Sequence, residues 1–250
     1  MKKKYRFLYH LIEILPFKGK RLQKFYHLVR FYYKGNSFVI VRKDGTILTN
    51  PLRIFPYVYL KASGKCSGNK VIIAEPIKNG FNIEFNFWNG GNNTVNIGAN
   101  CMVVMIAHIQ GSNGHCVMGN NNYICESTLY MYCSGKTNFI IGDNNLFSSQ
   151  IVFWAGDGHS VVNPISRELT NIGGNIRIGN NNWIGMNVCF LKRAKIGNGC
   201  IVGYGSVVSK SFDEDGCVIA GNPANVIKKN IIWAEAPPWD YNGQLYREVN

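Results

Sequence analysis

The chain has 250 residues, 46% of them hydrophobic, and a formal net charge of +13 at pH 7. That is enough apolar material for one sizeable core, which argues against a disordered chain, and no apolar run approaches the roughly 20 residues of a membrane span. Residues 1–36 hold ten Lys/Arg against Glu13 alone. The excess is therefore an N-terminal feature, and without a recognisable motif it gives no case for nucleic-acid binding.

In chain order, helical spacing comes first. Leu8, Leu11, Ile12 and Leu15 mark a helix over 3–15, and Leu22, Phe25 and Val29 mark another over 20–33, with Pro16 and Gly19 between them. Residues 1–59 are read as a basic helical arm and connector. Two roles stay open: a cap over an exposed sheet end, which is preferred, or a basic amphipathic hook for an anionic membrane or acidic glycan.

From about residue 60 the chain keeps a period of six, first in less regular stretches (68–76 and 81–98). Ile172, Ile178, Ile184, Phe190, Ile196, Val202 and Val208 fall in step, as do Ile97, Val103, Ile109; Met118, Ile124, Tyr130; and Ile141, Phe147, Phe153. Six is neither a helical nor a simple strand period. The quartets and quintets "IGAN", "MGNNN", "IGDNN", "IGNNN" and "IGNG" each start at or follow an in-step apolar residue. Gly and Asn tolerate the positive φ of a sharp corner. A short strand plus a corner every six residues builds one flat side of a prism; three sides make a coil of about 18 residues, stacked in parallel. The expected fold is all-β, a parallel β-helix over 60–228 with the helical arm before it and a tail at 229–250. The period does not give its hand.

The beat breaks by three residues between Ile109 and Met118, by five between Tyr130 and Ile141, and by thirteen between Phe153 and Ile172. The last break holds "GDGHSVVNP", and a loop over 154–171 thrown out from a rigid scaffold is where function is expected. Of five histidines, His10 and His27 lie on the arm and His108 and His115 at a coil corner. His159 alone lies in the large excursion, beside small residues that leave its ring accessible. A neutral imidazole there can accept a proton near neutral pH. Asp157 either orients that ring or shapes the turn. Trp183 follows a corner between two inward positions and so points outward, where its flat face suits a sugar or an acyl chain.

The eight cysteines form no CxxC pair, and "LYHLIEIL" lacks a small-residue cleavage site. The cysteines read as reduced, buried fillers of a cytoplasmic protein, which the arm would hold at the inner face of a membrane if it acts as a hook.

The succession DGHS, WIG, VGYGSVV, GNPA over roughly 140–232 resembles the bacterial hexapeptide-repeat O-acetyltransferases, among them the galactoside and maltose enzymes. The DGHS loop with Trp183 24 residues after His159 is most similar to enzymes acting on capsular polysaccharide, including polysialic acid, or on O-antigen sugars. The likeness is weak over 60–140 and absent from the first 55 residues. It implies a left-handed coil and a homotrimer with sites between subunits. It also implies transfer of acetyl from acetyl-coenzyme A to a sugar hydroxyl in a ternary complex, with His159 as general base and Trp183 lining the site. Coenzyme contacts carry over onto Met186, Gly203, Tyr204, Ser209, Lys210 and Lys228; Tyr204 replaces the family's small residue and narrows that channel. Asn163 and Arg167 are offered as sugar contacts.

Three other readings compete with this one. A γ-type carbonic anhydrase needs three zinc-binding histidines, and the spacing of His108, His115 and His159 does not match; no metal is expected. A non-catalytic scaffold or sugar-binding β-helix would need neither the long excursion nor a basic coenzyme path. An amino-sugar N-acetyltransferase would use the same base and coenzyme.

Overall fold

The computed structural model describes residues 2–13, 19–52, 55–133 and 137–243; Pro16 and Leu15 of the expected helix break lie outside them. Two helices, α1 (Lys2–Glu13) and α2 (Lys20–Tyr33), precede a left-handed parallel β-helix. The prism has three faces. On the first, strands from Ser37–Val41 to Ser211–Phe212 stack in parallel, one per coil. The second carries Leu146–Phe147, Trp183–Ile184, Ile201–Val202 and Val218–Gly221. The third carries Ile151–Ala155, Cys189–Leu191 and Val207–Val208. In earlier coils the strands Met102–Gly111 and Tyr123–Cys133 bend round the edge and serve both of these faces.

The in-step residues form the core. Ile178, Ile184, Phe190, Ile196, Val202 and Val208 are all buried, and the ring of Phe153 stacks on that of Phe190 at 5.3 Å. Burial of each such side chain is worth about 1.5–3 kcal/mol. Ala224–Lys228 turns back antiparallel on the last coil. At the other end α2 packs Phe31 against Phe87 and buries Leu28, Val29 and Tyr32, so the arm covers the first coils. No helix of the described residues is long and apolar enough to cross a membrane.

The corners between the first and second faces explain the Gly-Asn quartets. Asn100, Asn121, Asn144 and Asn181 sit at φ 57–59°, and Gly199 and Gly216 take the same place in the last coils. One residue earlier runs an outer ladder: Oδ1 of Asn120, Asp143, Asn180, Asn198 and Asp215 each accepts a backbone N–H from the preceding coil. One residue later runs a buried ladder, in which Asn122, Asn145 and Asn182 bond side chain to side chain at 3.0 Å. Cys101, Cys200 and Cys217 fill that same inner slot elsewhere.

Five expectations change. The coil begins before residue 60, because Ser37–Val41 already pairs in parallel with Lys70–Ala74. Ile172 is 56% exposed and belongs to no rung. Phe139 pairs with Ile176, 37 residues on, whereas Ile178 pairs with Ile196, 18 on; the excursion therefore adds nineteen residues and runs from 156 to 175, after the strand that ends at Ala155. Tyr130 points outward, because a register shift opposite Val103–Met105 turns Leu129 and Met131 inward instead. Cys125 is exposed and Cys189 half-buried, while the other six cysteines are buried as expected; all eight are free.

Candidate active site

The excursion leaves the edge between the third and first faces and is tied down at its base. Asp157 accepts from Lys192 Nζ and, at 2.7 Å, from Asn171 Nδ2. The Lys192 hydrogen bond first, and then that of Asn171, hold its carboxyl below the usual carboxylate range. Asn171 Nδ2 also donates to the His159 carbonyl at 2.8 Å, and its Oδ1 accepts the Val161 N–H at 2.7 Å. One asparagine thus fixes the backbone on both sides of His159. Neither Asn171 nor Lys192 carried a sequence signal; only the fold brings them to Asp157.

The imidazole of His159 is exposed and, among the described residues, makes no hydrogen bond. Asp157 spends its carboxylate on the loop's anchors, so it sets where His159 stands and does not touch its ring. Beyond His159 the segment folds on itself through a Val162–Leu169 bridge. Asn163 Oδ1 accepts the N–H groups of Ile165 and Ser166, and Arg167 adopts φ 60° at the same turn. Both expected sugar contacts therefore lie at the outer end of the loop, and Asn163 also shapes it.

Trp183 points outward from the second face, 41% exposed. A feature with no periodic signature meets it there. After Lys228 the chain runs back along the prism: the Ile231 N–H donates to Gly216 O, and Trp233 Nε1 donates to Asn181 O at 2.7 Å. The rings of Trp183 and Trp233 lie 6.1 Å apart. Between this returning segment and the second face is a cleft of about 640 Å³.

The coenzyme candidates occupy two edges. Met186 and Tyr204 stand on successive coils at the edge between the second and third faces, linked by the Gly205 N–H donating to Met186 O at 3.0 Å. Tyr204 is 70% exposed, and its hydroxyl accepts from Asn187 Nδ2. Gly203 packs against the next coil, where a Cβ would come within 3.0 Å of Ala220 Cβ. Its glycine serves coil stacking, and the open floor is at Gly205, whose Cβ position faces no atom within 4 Å. Ser209 and Lys210 lie on the next edge round, with Lys210 Nζ donating to Asn225 Oδ1, and Lys228 is exposed on the terminal strand. The groups fit an extended thioester coenzyme: a flat floor, apolar sides and two cations for its phosphates.

His108 is not at a corner. It lies on the outer third face, its ring stacked 5.1 Å from Tyr130. His115 Nδ1 is 2.7 Å from Thr94 Oγ1. Among the described residues no three His, Cys, Asp or Glu side chains gather as a metal site.

Residues 175–210 match the bacterial transferase hexapeptide (six repeats). The chain is 32% identical over 99 residues to the polysialic acid O-acetyltransferase of Escherichia coli O1:K1, a match covering 40% of this chain and 32% of that protein. It is 34% identical over 89 residues to the galactoside O-acetyltransferase of Escherichia coli K12, covering 36% of this chain and 43% of that one. The matches thus span less than half the length of these relatives. The crystal structure of the polySia-specific acetyltransferase NeuO superposes with a TM-score of 0.66 at 25% identity, covering 83% of this chain and 88% of that one.

Proposed function

We propose that this chain, which carries the bacterial transferase hexapeptide repeat, moves an acetyl group from acetyl-coenzyme A to a hydroxyl of a bacterial surface-polysaccharide sugar. The observation that carries the reading is the excursion, whose only free titratable ring, His159, is presented to solvent by a base pinned at Asp157, Asn171 and Lys192. In the reaction both substrates are bound together. Nε2 or Nδ1 of neutral His159 takes the proton of the acceptor hydroxyl as its oxygen attacks the thioester carbonyl. The tetrahedral adduct expels the thiolate, and the imidazolium returns the proton to it, leaving ester and thiol. Met186, Tyr204 and the floor at Gly205 would hold the pantetheine, and Lys210 and Lys228 the phosphates.

The site would be completed by a second subunit. His159 hangs from the edge opposite the face that carries Trp183, and no contact among the described residues joins the two within one chain. The loop also exposes Val161 (57%), Ile165 (92%) and Leu169 (42%), an apolar set that a neighbouring subunit would cover. A homotrimer places one subunit's loop against the next subunit's Trp183 face. At the far end, α1 exposes Phe7 and Leu11 beside Arg6, and α2 opens with exposed Lys20, Arg21 and Leu22. That composition supports a contact with the inner face of a membrane in addition to the cap.

Thiol release with acetyl-coenzyme A and a panel of bacterial glycans tests the reading. The wild-type protein should turn over on at least one glycan, and His159→Ala should fold and trimerise yet lose about 10²–10⁴ in rate. Undiminished turnover by that variant removes His159 as the base.

A further inference from the structure

The cleft beside Trp183 has walls that no motif announced. Leu146, Trp183 and Ile201 are successive rungs of the second face. The returning C-terminal segment passes Gly216 in the last coil, then Asn181 two coils earlier, and reaches Leu146 one coil beyond that. The cleft thus opens from Trp183 toward the N-terminal coils. The coenzyme candidates Met186, Tyr204, Lys210 and Lys228 lie level with Trp183 or on the other side of it. Two reactants that meet at Trp183 are given separate approaches.

The walls define the chemistry of the occupant. Trp183, Trp233, Tyr241, Pro238 and Leu146 are flat or apolar, and Glu235 is the one acidic side chain among them. Trp233 is 6% exposed and anchored through Nε1, so the wall is built into the fold. Aromatic faces pack against the C–H faces of a pyranose, a carboxylate accepts from its hydroxyls, and the same carboxylate repels an anionic sugar. A volume of about 640 Å³ lies within the usual range for small-ligand sites. The basic arm, which would favour acidic glycans, packs on the opposite end of the prism.

We propose that the C-terminal segment 231–241 forms the acceptor subsite against Trp183, and that it selects an uncharged pyranose over a carboxylated one. This rests on the acetyltransferase reading for its role in turnover, but not for its binding test. Intrinsic tryptophan emission of the full-length protein is titrated with the methyl glycosides of glucose, galactose and N-acetylglucosamine, and with 3′-sialyllactose. Acetyl-coenzyme A binding is measured separately by calorimetry.

At least one uncharged glycoside should change the emission, and sialyllactose should bind at least tenfold more weakly or not at all (about 1.4 kcal/mol per tenfold). Tyr241→Ala, at a half-exposed position, should weaken that glycoside about tenfold and raise the acceptor KM alike, with acetyl-coenzyme A affinity unchanged. Glu235→Gln should narrow the gap to sialyllactose. Sialyllactose binding as tightly as the neutral sugars, no neutral sugar binding, or Tyr241→Ala weakening the coenzyme instead overturns the proposal. Failure of the wild-type protein to bind acetyl-coenzyme A, with neutral sugars still bound, overturns the acetyltransferase reading and leaves the sugar cleft standing.

Discussion

At the scale of single residues, Asp157 anchors the excursion, and on the proposed reading His159 would supply its chemistry. The lowered pKa of Asp157 means that the folded protein favours the carboxylate. Its contribution is therefore fully present above the unperturbed value of about 3.9 and is lost as pH falls through the lower folded value. Between pH 5 and 8 its charge is constant. The kcat/KM profile in that range is therefore expected to keep its shape in Asp157→Asn, because the charge of Asp157 does not change there. That variant should lower kcat about tenfold through misplacement and speed tryptic cleavage after Arg167; a profile whose midpoint moves with the substitution would make Asp157 a partner of the ring. The placements of His159 in the excursion and of Trp183 on the outer face were legible in the sequence, since one broke the six-residue beat and the other stood outward within it. Asn171 and Lys192 were not, because hydrogen bonding across 14 and 35 residues leaves no periodic trace.

At the scale of elements, the corners were readable because glycine and asparagine alone make the left-handed turn cheaply, and the six-step fixed the inward rungs between them. The misses have two causes: apolar spacing reveals neither whether a neighbouring rung exists nor where a register shift occurs. Ile172 keeps the step but has no coil beside it. Tyr130 keeps it too, and a register shift hands its place to Leu129 and Met131. The buried asparagine slot makes its own prediction. In Asn182→Ala the buried Cys200 N–H loses its acceptor and Asn145 Oδ1 loses a donor, which should cost about 2–4 kcal/mol in urea unfolding. Asn182→Cys should cost less, since thiols fill this slot at Cys101, Cys200 and Cys217; equal losses would show that a thiol does not substitute here and that the amide hydrogen bonds carry the whole effect. The arm makes another. Co-sedimentation with phosphatidylserine vesicles should be retained over pure phosphatidylcholine, and Phe7→Asp with Leu11→Asp should abolish it without changing acetyl transfer to a dissolved acceptor. Vesicle binding left intact in the double variant would assign the arm to capping alone.

At the scale of the whole molecule, the proposed pairing of His159 with Trp183 would make oligomerisation a catalytic requirement, and that has a quantitative signature. Suppose that each site takes His159 from one subunit and Trp183 from the next around a threefold ring. A trimer mixed from His159→Ala and Trp183→Ala chains always contains one junction at which an intact histidine meets an intact tryptophan, whichever variant is in the majority. With equal, random mixing three trimers in four are mixed, and each has one working site of three. Co-refolding the two variants, each nearly inactive alone, should therefore restore roughly a quarter of wild-type turnover. If both residues served one site within a single chain, no mixture could rebuild it, and the activity would stay at the average of the two variants. Dilution below the trimer's dissociation range should abolish the restored rate and the wild-type rate together, because the loop that carries the base would then face only water.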